Sequence, residues 1–393
     1  MVVQVALACV LLTAVGLMLR SAAALAQVQP GFNRSQPIAT FQLNLWPPNP
    51  GQERATFLKE QRLAAALNAL PGATAGLADS APLSGSSNFD PVFVAGRTPP
   101  GVSLPPVHKF RYISPGYLQA MGIPLLAGRD LTWQDAAGLR PVALVSASFA
   151  RAYWPTPTAA LGQQIRITRN DDWRQIVGVV GDVHENGLNK PAPDEVYWPL
   201  LAAHFEGEAL FNWGGVTAVV RAPNAGTAAF TARLRQAVWS VDRDLPLAQP
   251  NTMSGLYSRS LAQTRFTMSV LGLAAGMGLL VGIIGLYGVL AYAVAQRRRE
   301  LGVRIALGAA PAGLMRAVVR QGLGLAGAGT LLGLIAAGFA ARLLASLLYG
   351  VQPGDPATFA AVALAMPAIA GVASALPART AARVRPLAAL RAE

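Results

Sequence analysis

The chain has 393 residues, of which 53% are hydrophobic and only 13% are charged, whereas soluble domains carry roughly 25% charged residues. The mean hydropathy is +0.38, and several uncharged runs are as long as a membrane span, which excludes a purely soluble protein. The net charge is +13, but the excess of basic residues lies beside the predicted spans, so nucleic-acid binding is not expected. A single cysteine, Cys9, excludes an intrachain disulfide and a zinc or redox site made from paired cysteines.

The first predicted element is a transmembrane helix over residues 1–20, where residues 2–19 are uncharged and Arg20 ends the run. A cleaved signal peptide is the alternative, because residues 24–27 (Ala-Leu-Ala-Gln) resemble a signal-peptidase site. The sequence favours a retained span, because the basic segment that begins a signal peptide is missing and the apolar run is long for one. Since the usual cytoplasmic flank is also missing, we expect that Met1 is not the natural start or that the chain derives from a longer protein.

Residues 21–264 are predicted to form one large external domain with a mixed α+β fold. A segment rich in Gly, Pro and Ser, residues 80–106, predicts a long mobile loop. Apolar residues at helical spacing, and short apolar or alternating runs, predict three helices and four strands within this domain. The predicted helices cover residues 53–70, a short stretch through Phe149 and Tyr153 to Trp154-Pro155, and residues 227–241, and the strands cover residues 141–145, 164–167, 173–180 and 216–221.

Little in this domain indicates catalysis. Asp182, His184 and Glu185 lie close together after a predicted strand. Adjacent turn positions rarely converge on one ion, so solvated turn residues are favoured over a metal site. The sequence has no Gly-x-Ser-x-Gly elbow and no Walker loop of the form Gly-x-x-x-x-Gly-Lys-Ser/Thr. We therefore predict no catalytic residue, metal or cofactor and no enzyme activity in this chain, and expect any ATPase activity in a separate subunit.

Three further transmembrane helices are predicted over about residues 266–296, 321–348 and 356–378. The first of these would measure about 46 Å as a helix, more than a hydrocarbon core of about 30 Å, so it is expected to project beyond the bilayer. Pro367 lies in the last span, where neighbouring helices can tolerate it. No span contains an acidic residue, a His or a Lys, which argues against an ion or proton pathway through the bilayer.

Glycines spaced four residues apart occur in two of these spans. Small residues at this spacing allow helices to approach closely, although Gly is also frequent in membrane helices without such a role, and both interpretations stay open. The pairs are Gly272 and Gly276, Gly278 and Gly282, and Gly329 and Gly333.

Basic residues fix the predicted orientation, because Lys and Arg beside spans are retained on the cytoplasmic side. The link around residues 350–355 has no basic residue, which places it outside. Both termini are therefore expected in the cytoplasm, with residues 21–264 outside and membrane lipid around the spans. The arginines that carry this argument are Arg297, Arg298, Arg299, Arg304, Arg316 and Arg320 between the second and third spans, and Arg379, Arg383, Arg385 and Arg391 after the fourth.

The segment 297–320 is a basic, amphipathic element at the predicted cytoplasmic surface. Glu300 and Arg304 are spaced i,i+4 in the order that stabilises a surface helix. Leu301, Ile305 and Gly308 follow the same face, and Gly308 fits a helix end.

A second helix is predicted over residues 311–320, because Pro311 suits the first turn of a helix. This helix would lead directly into the third span. One interpretation of segment 297–320 is an interfacial hairpin that only fixes topology on anionic lipid. The other is a lever, in which a helix pair continuous with two spans receives force from a cytoplasmic motor.

The sequence of residues 297–309, Arg-Arg-Arg-Glu-Leu-Gly-Val-Arg-Ile-Ala-Leu-Gly-Ala, closely resembles that of the FtsX-like permease domain of MacB-type ABC transporter permeases. Residues 385–391 are similar to the end of that family's chains. In the external domain, residues 114–130, 142–155 and 176–183 resemble the MacB-type periplasmic domain. The resemblance covers essentially the whole chain. Within the family, the chain is most similar to one half of a duplicated orphan permease.

The resemblance implies an integral membrane α-helical protein with four transmembrane helices and a large extracytoplasmic α+β domain of MacB periplasmic type. Residues 265–393 would be the FtsX-like permease domain, and the protein would lie in the bacterial inner (plasma) membrane. The implied partners are an ABC ATP-binding subunit, a second permease unit in a homo- or heterodimer, and a periplasmic adaptor. The cytoplasmic loop 297–320 would couple to the ATPase, through Glu300, Leu301, Gly302, Arg304, Ile305 and Gly308.

The implied function is mechanotransmission, in which ATP binding and hydrolysis in the cytoplasm move the periplasmic domain for export or extraction of a substrate. An FtsX-like regulatory membrane protein that activates a periplasmic partner is the alternative from a different class. A third interpretation is an inactive fragment of a longer permease, because this chain carries one permease unit and lacks the cytoplasmic helix that normally precedes the first span.

Overall fold

Helices alone build one part of this chain, whereas a mixed sheet with helices on its faces builds the other. In the computed structural model the helical unit is Met1–Val28 with Gln263–Glu393, and the α+β unit is Gln29–Ala262. The fold class predicted from the sequence, a four-span membrane protein with a large α+β domain, is confirmed. The predicted boundaries of the individual domains stay a prediction. The structure describes residues 2–46, 51–85, 88–97, 104–296, 311–345 and 348–382.

The described residues contain ten α-helices, and α1, α8, α9 and α10 are long and apolar enough to cross a membrane. In chain order, α1 to α10 are Val2–Gln27, Glu53–Asn68, Tyr117–Met121, Trp133–Ala137, Ala147–Tyr153, Ala228–Val241, Met253–Ser260, Ala262–Gln296, Pro311–Leu343 and Pro356–Ala382. The helix predicted to begin at Pro311 is the first part of α9, and α10 continues through Pro367 without a break.

The described residues also contain fourteen strands, all within the α+β unit. In chain order, β1 to β14 are Ile38–Asn44, Thr74–Ala78, Phe89–Pro91, Phe93–Val94, Val107–Ile113, Leu125–Gly128, Val142–Ser146, Gln164–Arg166, Arg174–Val180, Glu195–Pro199, Leu201–Phe205, Glu208–Asn212, Gly215–Arg221 and Ala248–Thr252. Twelve strands form one sheet in the order β14-β1-β13-β2-β5-β10-β7-β9-β8-β4, with β3 beside β5 and β6 beside β9. The pairs β5–β10 and β7–β9 are parallel, whereas β11 and β12 form a separate hairpin.

The sheet separates two apolar cores, and β1 shows how the sequence divides between them. Successive side chains of a strand point to opposite faces. Ala39, Phe41 and Leu43 accordingly pack in the larger core, and Ile38 packs in the smaller one. The helices α2 and α6 belong to the larger core through Phe57 and Phe230 among others, as the apolar spacing at residues 53–70 and 227–241 predicted.

The prediction of one long mobile loop over residues 80–106 is wrong for residues 89–94. These residues form β3, which pairs with β5, and β4, which pairs with β8. Both strands are too short to show a period of two, and β4 finds its partner some seventy residues further along the chain, where Phe93 faces Arg166. Local sequence patterns cannot reveal a strand whose stability comes from such a distant partner.

The carboxyl group of Glu60 is buried in the α+β unit and forms no ion pair with any described residue. Glu60 of α2 is fully buried and accepts a hydrogen bond of 3.0 Å from Asn212 Nδ2 of β12. Its Oε1 has no hydrogen-bond partner among the described residues. Burial raises the pKa of Glu60 to about 8, and the bond from Asn212 opposes that shift. Glu60 therefore keeps a proton in the folded protein that the unfolded chain, with an ordinary pKa of about 4.3, releases.

The free energy of unfolding should consequently fall as the pH rises from about 4 towards about 8, because over that range the folded state binds the extra proton. Glu60→Gln removes this titration and keeps the shape and the hydrogen bond. We expect the variant to resemble the wild type at pH 5 and to be more stable by up to about 4 kcal/mol at pH 8. Melting temperatures of the detergent-purified chain between pH 5 and pH 8 measure the difference. Glu208→Gln, at an exposed position of β12, is the control and should follow the wild type, whereas parallel curves for Glu60→Gln and wild type would refute the assignment.

Candidate functional site

The predicted coupling residues Glu300, Leu301, Gly302, Arg304, Ile305 and Gly308 lie outside the described residues. Their role therefore stays a prediction. The structure does describe the helices on both sides of this segment, which end at Gln296 and begin again at Pro311.

These two flanking helices are longer than a bilayer requires. Helix α8 has 35 residues and α9 has 33, which at about 1.5 Å per residue gives roughly 50 Å for each. A hydrocarbon core of about 30 Å leaves about 20 Å of helix outside it in each case. In α9 the surplus includes its first ten residues, where Arg316 and Arg320 are exposed. Segment 297–310 is thus attached at both ends to uninterrupted helices that are longer than the hydrocarbon core.

Helices α1 and α9 approach each other closely at two glycines. A Cβ atom on Gly329 would lie 2.7 Å from Val5 Cβ, and one on Gly333 would lie 2.8 Å from the Ala6 backbone. Only glycine fits there, so the close-packing interpretation of this Gly-x-x-x-Gly pair is confirmed. A Cβ on Gly272, Gly276 or Gly282 would meet nothing within 4 Å, and for these three the interpretation finds no support among the described residues.

Helix α1 is also joined to α10 at the end that the topology prediction places outside. Arg20 of α1 forms an ion pair with Asp355, the residue that precedes α10. The Asp355 carboxylate also accepts hydrogen bonds from the backbone nitrogen (2.8 Å) and hydroxyl (2.6 Å) of Thr358. The hydrogen bonds from Thr358 and the nearby Arg20 keep the pKa of Asp355 below its usual range. Because α9 also packs against α10, α1, α9 and α10 form one block, which we call the three-helix block.

Helix α8 lies against the three-helix block with much less contact. Only 11% of its membrane-length window is buried, against 39% in α1 and 28% in α9 and α10. An apolar cavity of about 20 Å³ separates part of α8 from the block, and its lining includes Ile283 of α8 and Met366 of α10. On the other side, α8 exposes large apolar side chains, among them Leu273, Met277 and Ile284. Helix α8 therefore has fewer packed contacts than α1, α9 or α10, although Leu279 and Ile283 pack against the block.

The three residues considered for a metal site have separate partners. Asp182 accepts hydrogen bonds from Ser148 N (2.6 Å) and Arg151 (2.5 Å), and His184 Nδ1 lies 2.8 Å from the Lys190 carbonyl oxygen. No group of three or more His, Cys, Asp or Glu side chains in the described part of the chain is arranged to hold a metal ion.

For Glu185, the prediction of a solvated turn residue is wrong. Its carboxylate is buried and forms an ion pair with Arg111, which also contacts Glu195 at 3.2 Å. Burial raises the pKa of Glu185, and the positive charge of Arg111 opposes that shift. The sequence could not show this, because Arg111 lies 74 residues away on β5.

The four membrane-length helices and the large α+β unit define a multi-span membrane protein with a substantial domain outside the bilayer. The family model described as MacB-like periplasmic core domain matches residues 5–237, more than half of the chain. The model described as FtsX-like permease C-terminal matches residues 272–386. The chain therefore belongs to the family of MacB-type, FtsX-like permeases, as its sequence resemblance implied.

Named relatives extend this assignment. The chain is 28% identical over 284 residues to the pyoverdine export ATP-binding/permease protein PvdT of Pseudomonas savastanoi pv. phaseolicola, covering 69% of this chain and 40% of that protein. It is also 28% identical over 287 residues to the macrolide export ATP-binding/permease protein MacB of Rhodospirillum rubrum, covering 71% and 42%. The chain thus matches about two fifths of the length of these relatives.

Solved structures similar to this chain include the periplasmic region of MacB from Actinobacillus actinomycetemcomitans. It is 14% identical with a TM-score of 0.34 and covers 58% of this chain and 93% of that chain. The extracellular domain of the noncanonical ABC-type transporter YknZ from Gram-positive bacteria is 14% identical with a TM-score of 0.31, covering 55% and 99%.

The close approach of α1 and α9 can be tested by adding one methyl group. Gly333→Ala places a Cβ within 2.8 Å of the Ala6 backbone, and overpacking of this kind costs about 1–3 kcal/mol. Gly338→Ala, on the same helix, meets nothing within 4 Å and should be neutral or stabilising by up to about 1 kcal/mol through helix propensity. Thermal unfolding of both variants in detergent measures the difference, and equal melting temperatures would refute the packing.

Proposed function

We propose that this chain is the permease subunit of a MacB-type ABC transporter and transmits ATP binding and hydrolysis in the cytoplasm to its α+β domain. The observation that carries the proposal is the surplus length of α8 and α9 on both sides of segment 297–310. Family membership supports it. Because the sequence contains no Walker loop, the ATPase would be a separate subunit.

In this proposal, closure of the ATP-binding subunits pushes on residues 297–310. The push travels along α8, which continues through Leu261 and α7 into the α+β unit. The three-helix block serves as the support, and its helix α1 is covalently joined to the other end of the α+β unit. A displacement between α8 and α1 would therefore move both chain ends of the α+β domain relative to each other. No substrate has to cross the bilayer for this work to be done.

The same proposal places the chain in the bacterial inner membrane, with both termini in the cytoplasm and the α+β domain in the periplasm. The distribution of arginines supports this orientation. A second permease unit would pack beside the apolar face of α8 that includes Leu273, Met277 and Ile284, with lipid covering the remainder. The work done would be export or extraction of a substrate from the periplasmic side, with a periplasmic adaptor as a further partner.

Glu300→Lys tests the proposed coupling. The substitution replaces the acidic residue of the segment with a basic one, so two positive charges are spaced i,i+4 at positions 300 and 304. This change should weaken the docking of an ATP-binding subunit without preventing membrane insertion. We expect affinity purification of the tagged wild-type chain in mild detergent to recover an ATP-binding subunit with ATPase activity. The variant should recover about tenfold less, the loss expected for about 1.4 kcal/mol of docking free energy.

Glu208→Lys is the matched control, because it makes the same charge change at an exposed position of the α+β unit and should leave recovery unchanged. If the wild type recovers an ATP-binding subunit and the two variants recover equal amounts of it, segment 297–310 is a topology anchor rather than a lever. Correct insertion of the wild type with no associated ATPase would instead favour a regulator of a periplasmic partner or an inactive fragment.

A further inference from the structure

A polar cleft of about 330 Å³ lies in the α+β unit where β14 and β1 meet α7. This volume is in the range of small-ligand sites, about 300–1,000 Å³, near its lower end. Its polar lining comes from two central strands, from the edge strand β14 and from α7. The lining side chains that bear on ligand chemistry are Thr40, Gln42, Thr217, Gln249 and Arg259.

The cleft begins where the smaller apolar core ends. Alternation along β1 places Ile38, Thr40 and Gln42 on one face of the sheet. Ile38 is in the apolar core, whereas the next two positions of this face are polar. Strand β13 shows the same change from apolar to polar residues. Val219, which pairs with Thr40, is in the core, whereas Thr217, which pairs with Gln42, is polar. Two adjacent strands thus change from apolar to polar at the same level.

Two threonines of the sheet offer hydroxyls to the cleft. Thr40 and Thr217 are each only 4% exposed, and both line the cleft. The structure gives neither hydroxyl a hydrogen-bond partner among the described residues, and neither is among the enclosed side-chain atoms that lack a partner. Both hydroxyls therefore reach the open space of the cleft, where water or a ligand can bond to them.

The cleft also has one positive charge at its edge. Arg259 of α7 lines it and is exposed, and it forms no ion pair with any described residue. A guanidinium presents a planar fork that binds a carboxylate through two parallel hydrogen bonds. The side-chain amides of Gln42 and Gln249 can donate and accept at once, as peptide groups require of a partner.

We propose that this cleft binds a short peptide, or the end of a peptide chain, through one carboxylate at Arg259 and peptide groups at the threonine and glutamine side chains. A single arginine matches a monoanion, whereas a phosphate dianion usually meets several donors or a helix N-terminus. This assignment does not depend on the proposed transport function, because it rests only on side chains within the α+β unit.

Isothermal titration calorimetry of the full chain in detergent tests the site, with N-acetyl-dialanine as the probe and its C-terminal amide as the uncharged comparison. The acid should bind, and the amide should bind at least about tenfold more weakly, the loss expected for one charge-assisted contact. Arg259→Gln should weaken the binding of the acid by the same factor. Thr40→Val and Thr217→Val keep the side-chain shape. Each should weaken the binding of the acid severalfold without lowering the melting temperature of the protein. Arg243→Gln, at another exposed position of the same unit, should bind like the wild type.

Three outcomes would overturn the proposal. No binding of the acid up to about 10 mM would remove the site. Equal binding of the acid and the amide, or equal binding of the acid by the Arg259 and Arg243 variants, would refute the proposed contact between Arg259 and the carboxylate. If inorganic phosphate competed as strongly as the acid itself, the cleft would be a general oxyanion site rather than a peptide site.

Discussion

The fixed thickness of a bilayer is the constraint on which the helical unit of this structure depends. About 20 helical residues cross a hydrocarbon core of about 30 Å, yet α8 has 35 residues and α9 has 33. Both helices must therefore extend into water or the interfacial region at one end or both. Residues 297–310 connect the end of one of these helices to the start of the other. A short interfacial hairpin that only fixed topology would not need helices of this length.

Close packing joins three of the four membrane-length helices and involves the fourth, α8, much less. Gly329 and Gly333 bring α1 and α9 into backbone contact, and the Arg20–Asp355 ion pair joins α1 to the start of α10. A gap of about 0.5–1 Å would already forfeit a quarter to a half of each packed contact, so these helices resist relative movement. Helix α8 has few contacts of that kind and a small cavity at its side. The least constrained helix is therefore the one that joins segment 297–310 directly to the α+β domain.

The sequence predicted the parts of the fold that have local signals. Uncharged runs gave the four spans, and apolar spacing gave α2 and α6 with their buried faces. The missed elements include the short strand β3 and the hairpin β11–β12, although the two strands of the hairpin are adjacent in the sequence and pair with each other. They also include the seven-residue strands β1 and β5 and the short strand β4, which pair with strands far away in the sequence. The same limit hid the buried pair of Glu185 with Arg111, 74 residues apart, because in the sequence Glu185 resembles any solvated acidic residue. Of the three glycine pairs, only contact geometry could show that Gly329 and Gly333 pack against α1.

The central claim is that ATP hydrolysis in the cytoplasm moves the α+β domain. Its most direct test uses a reconstituted complex of the permease with its ATP-binding subunits and measures the distance between a spin label at position 208, exposed on β12, and a second label on the other permease unit. We expect different distance distributions without nucleotide and in the ADP–vanadate state that is trapped after ATP hydrolysis. Identical distributions in a complex that hydrolyses ATP would contradict it.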